Sequence, residues 1–188
     1  MCRVTSLMQI NIIKVKLFVQ RVYRHLTEYD IIERLRTRKG ENIQMYSASL
    51  VAKYIIRRCD ELDRTISNLK LQKILYFVQA EFLVDTGKPC FGETIEAWAF
   101  GPVVPEVYRE YKVYGSANIP VNNSEIVRSI SQADKNRIFG IVDECSQYSA
   151  STLVEITHHQ TPWIEAYKPG YNNPISNDSI LKYFSEEA

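Results

Sequence analysis

Glu96, Lys73 and His158 are the residues of this 188-residue chain whose types could do chemistry together, since a carboxylate, an amine and an imidazole are the parts of a general acid–base site. Nothing in their spacing supports that use. From Met45 onward there is no Gly-x-Gly-x-x-Gly, no Gly-Lys-Ser/Thr phosphate loop, no Gly-x-Ser-x-Gly elbow and no His-Glu-x-x-His. His158 and His159 are adjacent, so on a helix their side chains diverge by about 100° and cannot easily grip one metal ion. Cys145 and His158 would meet only by tertiary contact, without the spacing of a nucleophile and its base. An enzyme is therefore disfavoured, and no cofactor or metal is expected. The more ordinary expectation for His158 is a helix-end imidazole that bonds a free carbonyl or packs on a ring such as Trp163. Glu96 is the carboxylate expected to meet a cation, from Lys73 or His158. The aromatic inventory carries more weight: twelve Tyr, seven Phe and two Trp offer large contact areas with polar handles, as protein interfaces use.

Composition bounds the partners. The formal charge is +1 and 45% of residues are hydrophobic, enough for one sizeable core. Residues 1 to 44 hold nine Lys/Arg against four Asp/Glu, leaving 14 against 18 in the remainder, so the main body is mildly acidic. Nucleic-acid binding is disfavoured, because Arg57, Arg58, Lys70 and Lys73 are too few and too mixed with acids to track phosphates. No stretch approaches the roughly 18 apolar residues of a membrane span. Cys2, Cys59, Cys90 and Cys145 form no Cys-x-x-Cys pair and read as small buried residues of a protein in the reducing cytoplasm.

The elements that must position these residues are mainly helical. Ser47 or Ser49 caps a helix to about Cys59; Ser67 or Asn68 caps a longer one, in which Leu71, Ile74, Leu75, Val78 and Phe82 share a face and Gly87 and Pro89 follow the end. Leu69, Tyr76, Phe77 and Leu83 extend its apolar surface, as for a central helix, while Lys70, Gln72, Lys73 and Gln79 read as its solvated side, with Lys73 and Gln79 near enough to the stripe to touch a partner. Ile95 to Phe100 alternate as a strand, which Gly101-Pro102 should end by a forced turn; a partner strand in a small hairpin is expected but has no clear place. Pro105 opens a helix to Tyr114, stopped by Gly115. Ile119 to Asn123 is a loop. Ser131 with Asp134 caps the next helix, Ser149 or Ser151 the one ending near His158, and Thr161 a short one with Pro162 first and Trp163 and Ile164 turned inward. A last helix runs from about Asn177 to Phe184. The fold class is mainly α: six to seven helices around a small central β-hairpin. Residues 1 to 44, with a weak helical pattern from Ile10 to Leu35, read as a disordered extension or as sequence upstream of a true start at Met45, since Lys39-Gly40-Glu41 requires a purine-rich codon run resembling a ribosome-binding site.

Four blocks carry a resemblance: Val51-Ala52-Lys53-Tyr54-Ile55-Ile56; Leu69 to Gln79; Ile95-Glu96-Ala97-Trp98 with Gly101-Pro102-Val103-Val104-Pro105-Glu106-Val107-Tyr108; and Leu153, Thr157-His158 and Pro162-Trp163. In these, residues 45 to 188 resemble the Panacea domain, the family of SocA-like antitoxins and related phage-associated proteins. Phe77 and Phe100 stand where that pattern usually has tyrosines, which keeps the packing and removes two hydroxyls. The resemblance implies an antitoxin that binds and neutralises a toxin encoded beside it, or an adaptor that hands the toxin to a protease. It makes Lys73, Tyr76, Gln79, Glu96, Trp98, Gly101, Pro102, Val103, Pro105, Tyr108, His158, Pro162 and Trp163 interface or scaffold candidates. An uncharacterised enzyme using Glu96, Lys73 and His158 is the remaining reading.

Overall fold

A computed structural model describes residues 45–122 and 130–186, so the expectations for residues 1–44 lie outside the described residues. Seven α-helices and a three-stranded antiparallel sheet make up the described chain: α1 (Ala48–Glu61), α2 (Asn68–Thr86), β1 (Ile95–Trp98), β2 (Gly101–Val103), α3 (Pro105–Tyr111), α4 (Gln132–Cys145), α5 (Ala150–His158), α6 (Thr161–Ala166), β3 (Pro174–Ile175) and α7 (Asn177–Glu186). The mainly α expectation holds. Side-chain oxygens of Ser47, Ser67, Ser131 and Ser149 each accept an amide from the first turn of the helix they precede. Gly87, left-handed at φ 69°, closes α2.

The centre of the domain is α2. Seventeen of its nineteen residues are buried, because α1, α3, α4, α5, α7 and β2 all pack on it. Leu71, Ile74, Leu75, Phe77, Val78 and Phe82 are fully enclosed, each such side chain contributing roughly 1.5–3 kcal/mol by leaving water.

That packing overturns the solvated reading of the polar side of α2. Lys70, Gln72, Lys73 and Gln79 are buried, and each meets backbone that lies outside regular helix or at a helix end. Lys70 Nζ donates to Ser146 O at the end of α4 (2.8 Å), and Lys73 Nζ to Pro102 O (2.8 Å). Gln72 Oε1 accepts from Val104 N (2.9 Å), and its amide donates to Asn68 Oδ1, whose own amide donates to Tyr108 O. Gln79 accepts from Cys90 N and Phe91 N and donates to Phe91 O and Asn177 Oδ1. An unpaired buried carbonyl or amide is costly, so these side chains let non-helical chain lie against the central helix.

The hairpin differs from expectation. β1 ends at Trp98, and Gly101-Pro102-Val103 does not stop the ladder but forms its second strand, in the register Glu96↔Val103, Ala97↔Pro102 and Trp98↔Gly101. The reversal is Ala99-Phe100. Both keep negative φ, and Gly101, at φ 93°, completes the turn, as in hairpins where ordinary residues are followed by a left-handed glycine. Pro102 is tolerated because the sheet order β2-β1-β3 leaves β2 at an edge. β3 pairs with β1 as Ile95↔Ile175.

Two smaller expectations are also corrected. Gln160, not Thr161, occupies the N-cap of α6, without a side-chain capping bond, which puts Thr161 first and Pro162 second in the helix. Ile164 points outward and is 51% exposed, because a six-residue helix covers the core with one side only. The helix from Pro105 is α-helical to Tyr111 and finishes as a 3₁₀ turn at Lys112–Tyr114. Cys59, Cys90 and Cys145 are buried, as read.

Candidate functional site

The sequence candidates divide by depth. Lys73, Tyr76, Gln79, Gly101, Pro102, Val103, Pro105 and Pro162 are buried, while Glu96, Trp98, Tyr108, His158 and Trp163 are half-buried around the hairpin. In the first group, Lys73 bonds the hairpin at Pro102 and Gln79 bonds the chain before it at Cys90 and Phe91. The second forms a surface.

That surface is aromatic. The Trp98 ring meets Tyr108 of α3 edge-on at 4.9 Å between centroids. On the α5–α6 side, His158, Trp163 and Tyr167 stack in a column with centroids 4.0 and 4.6 Å apart. Trp163 Nε1 donates to Trp98 O (3.0 Å), which joins the column to the hairpin. Phe100, at the hairpin tip, is 67% exposed, and Tyr171 is 66% exposed. Tyr171 lies in the same region, since Asn173 O accepts from Ala97 N and the Asn173 amide donates to Ala166 O. Phe100, Ile164 and Tyr171 thus present large apolar groups to solvent on segments that carry half-buried Trp98 and Trp163 or bond to those that do. Tyr167, Ile164 and Tyr171 were missed from sequence. Tyr171 follows a Pro-Gly turn and carries no periodicity that would mark its exposure.

Glu96 does not meet a cation. Its Oε2 accepts from the Trp98 indole at 2.7 Å, and the ion pairs of the described residues do not include it. Lys73 and His158 do come near one another on the buried side. Burial drives the Lys73 amine down to about 7 from 10.5. Burial, then the neighbouring Lys73 and His159 charges, also lowers His158. A buried amine lowered by burial and an imidazole lowered further by that amine's charge, with the carboxylate engaged elsewhere, are not an acid–base constellation. The expected stacking of His158 on Trp163 is present. No group of three or more potential metal ligands occurs among the described residues, and no described helix is long and apolar enough to cross a membrane.

The fold and this geometry define a helical domain whose central helix stays inside and whose hairpin presents an aromatic face. Residues 71–164 match the family described as antitoxin SocA-like, Panacea domain. The chain is 37% identical over 145 residues to the protein named antitoxin SocA from Caulobacter vibrioides (strain NA1000 / CB15N), an alignment covering 69% of this chain and 75% of that protein. The chain belongs to the SocA-like Panacea family, and that membership supports an antitoxin role. No solved structure matches it.

Proposed function

We propose that this protein is the antitoxin of a toxin–antitoxin pair and neutralises its cognate toxin by direct binding through the hairpin face. The role rests on family membership and on the similarity to a protein named as an antitoxin. The choice of surface rests on one observation: Phe100 occupies the tip of a tight hairpin and leaves most of its ring in water. Local turn chemistry favours small or polar residues there, and an exposed aromatic next to two half-buried tryptophans is the composition of an interface hot spot. Toxin binding would cover Phe100, Ile164 and Tyr171 and complete the burial of Trp98 and Trp163.

Purified components test this. The product of the gene beside this one should form a stable complex with the wild-type protein. Phe100→Asp combined with Tyr171→Ala should weaken it by about a hundredfold, as loss of hot-spot residues does, while the unfolding midpoint stays unchanged. Val113→Asp, at an exposed site on the 3₁₀ turn, should bind normally. Full affinity in the double variant would remove the hairpin face from the account.

A further inference from the structure

Among the described residues, Tyr76 Oη, His158 Nε2, and both the oxygen and the nitrogen of the Gln160 side-chain amide are buried polar atoms without a hydrogen-bond partner in the protein. Tyr76 and Gln160 are fully buried. The four atoms come from elements that close on one another, since α2 packs on α5 and α7, and α6 packs on α5 and α7. Gln160 sits at the α5–α6 junction, where its amide nitrogen in the main chain donates to Thr157 O. Tyr76 lies one helical turn after Lys73, its ring set against Phe184 of α7. Lys73 belongs to the same region: its charge acts on His158, and a Cβ built on Gly101 would touch both Lys73 Nζ (3.0 Å) and Thr157 Oγ1 (2.7 Å). Of the three protons an ammonium carries, Lys73 has one bond, to Pro102 O.

Leaving a whole amide, a phenol and an imidazole nitrogen dry carries a desolvation penalty at each group. The ligand that relieves them is restricted by the donor set. An anion would suit Lys73 and the Gln160 nitrogen but leave the Gln160 oxygen unpaired. A metal cation would lie beside a lysine. A molecule that both donates and accepts satisfies all of them.

We infer that the α2 face at Tyr76 and the α5–α6 junction at Gln160 enclose an internal hydration site, in which ordered water bonds the Gln160 amide, the Tyr76 hydroxyl and His158 Nε2. The site ties the central helix to the junction from which Trp163 projects. It is independent of the toxin-binding proposal.

Tyr76→Phe gives a test by sign. If water holds the hydroxyl, the variant loses a hydrogen bond and its unfolding equilibrium constant rises about fivefold. A dry hydroxyl predicts the opposite, because removing it relieves an unpaired group, so unchanged or greater stability overturns the inference. Water-oxygen magnetic relaxation dispersion on the wild-type protein should show a long-lived internal component that shrinks in Gln160→Met. Equal dispersion in both proteins contradicts the site. Stability that follows chloride concentration at fixed ionic strength would also overturn it, in favour of an anion.

Discussion

At Gly101 an added methyl group has nowhere to go: its Cβ would stand 2.7 Å from Thr157 Oγ1 and 2.9 Å from Lys73 Cε, on backbone at φ 93° that side chains rarely adopt. Gly101→Val should therefore lower stability by roughly 2–4 kcal/mol, combining strain with a buried clash, and urea unfolding measures it. A variant that unfolds like the wild type but binds less would show instead that the glycine acts in recognition. The sequence made this residue conspicuous for a partly different reason. Gly101-Pro102 reads as a turn that ends a strand, whereas the glycine completes a turn made by Ala99-Phe100 and then begins the second strand. Phe100 was legible only as a substitution within a family pattern. Its exposure depends on where the reversal falls, and Ala-Phe carries no turn signature.

Elements were readable where local chemistry decides them. Serine caps, Gly87 and Pro105 fixed six helix boundaries closely, because each acts within one turn of the residues that reveal it. The three-residue β2 had no such sign, and its burial comes from α2 and α5 rather than from its own pattern. The polar side of α2 was misread because a lysine on a helix looks the same in sequence whether it faces water or an irregular carbonyl. Lys73 makes the difference measurable. Its amine releases its proton near pH 7 in the folded chain and near 10.5 when unfolded, so between these values the unfolded state binds more protons and stability rises with pH, by up to about 1.4 kcal/mol per unit. The stability is complete above 10.5 and is lost as pH falls through 7. From pH 7 to about 8.5, before the unfolded-state thiols titrate, Lys73→Met should flatten this slope by roughly 1 kcal/mol per unit. Above that range the buried thiols, held above their usual values, oppose the trend. Lys70, also lowered by burial, leaves a residual slope in both proteins. Matching slopes in chemical denaturation at several pH values would show that Lys73 does not titrate in the folded protein.

For the whole molecule, four short blocks of sequence were enough to place the chain in its family, since they hold the central helix, the hairpin and the α5–α6 junction that build the face together. Which parts of those blocks stay inside was not legible, because all-round burial of α2 is a property of the assembled domain. The antitoxin account is tested most directly by survival of cells expressing the neighbouring gene product together with this protein, with the half-life of that product followed in the same cultures. Neutralisation by direct binding predicts that the wild type restores growth while the half-life is unchanged, and that Phe100→Asp with Tyr171→Ala, equally abundant, fails to protect. A neighbour harmless on its own, full protection by the double variant, or protection only as the toxin is degraded would contradict it, the last result favouring delivery to a protease.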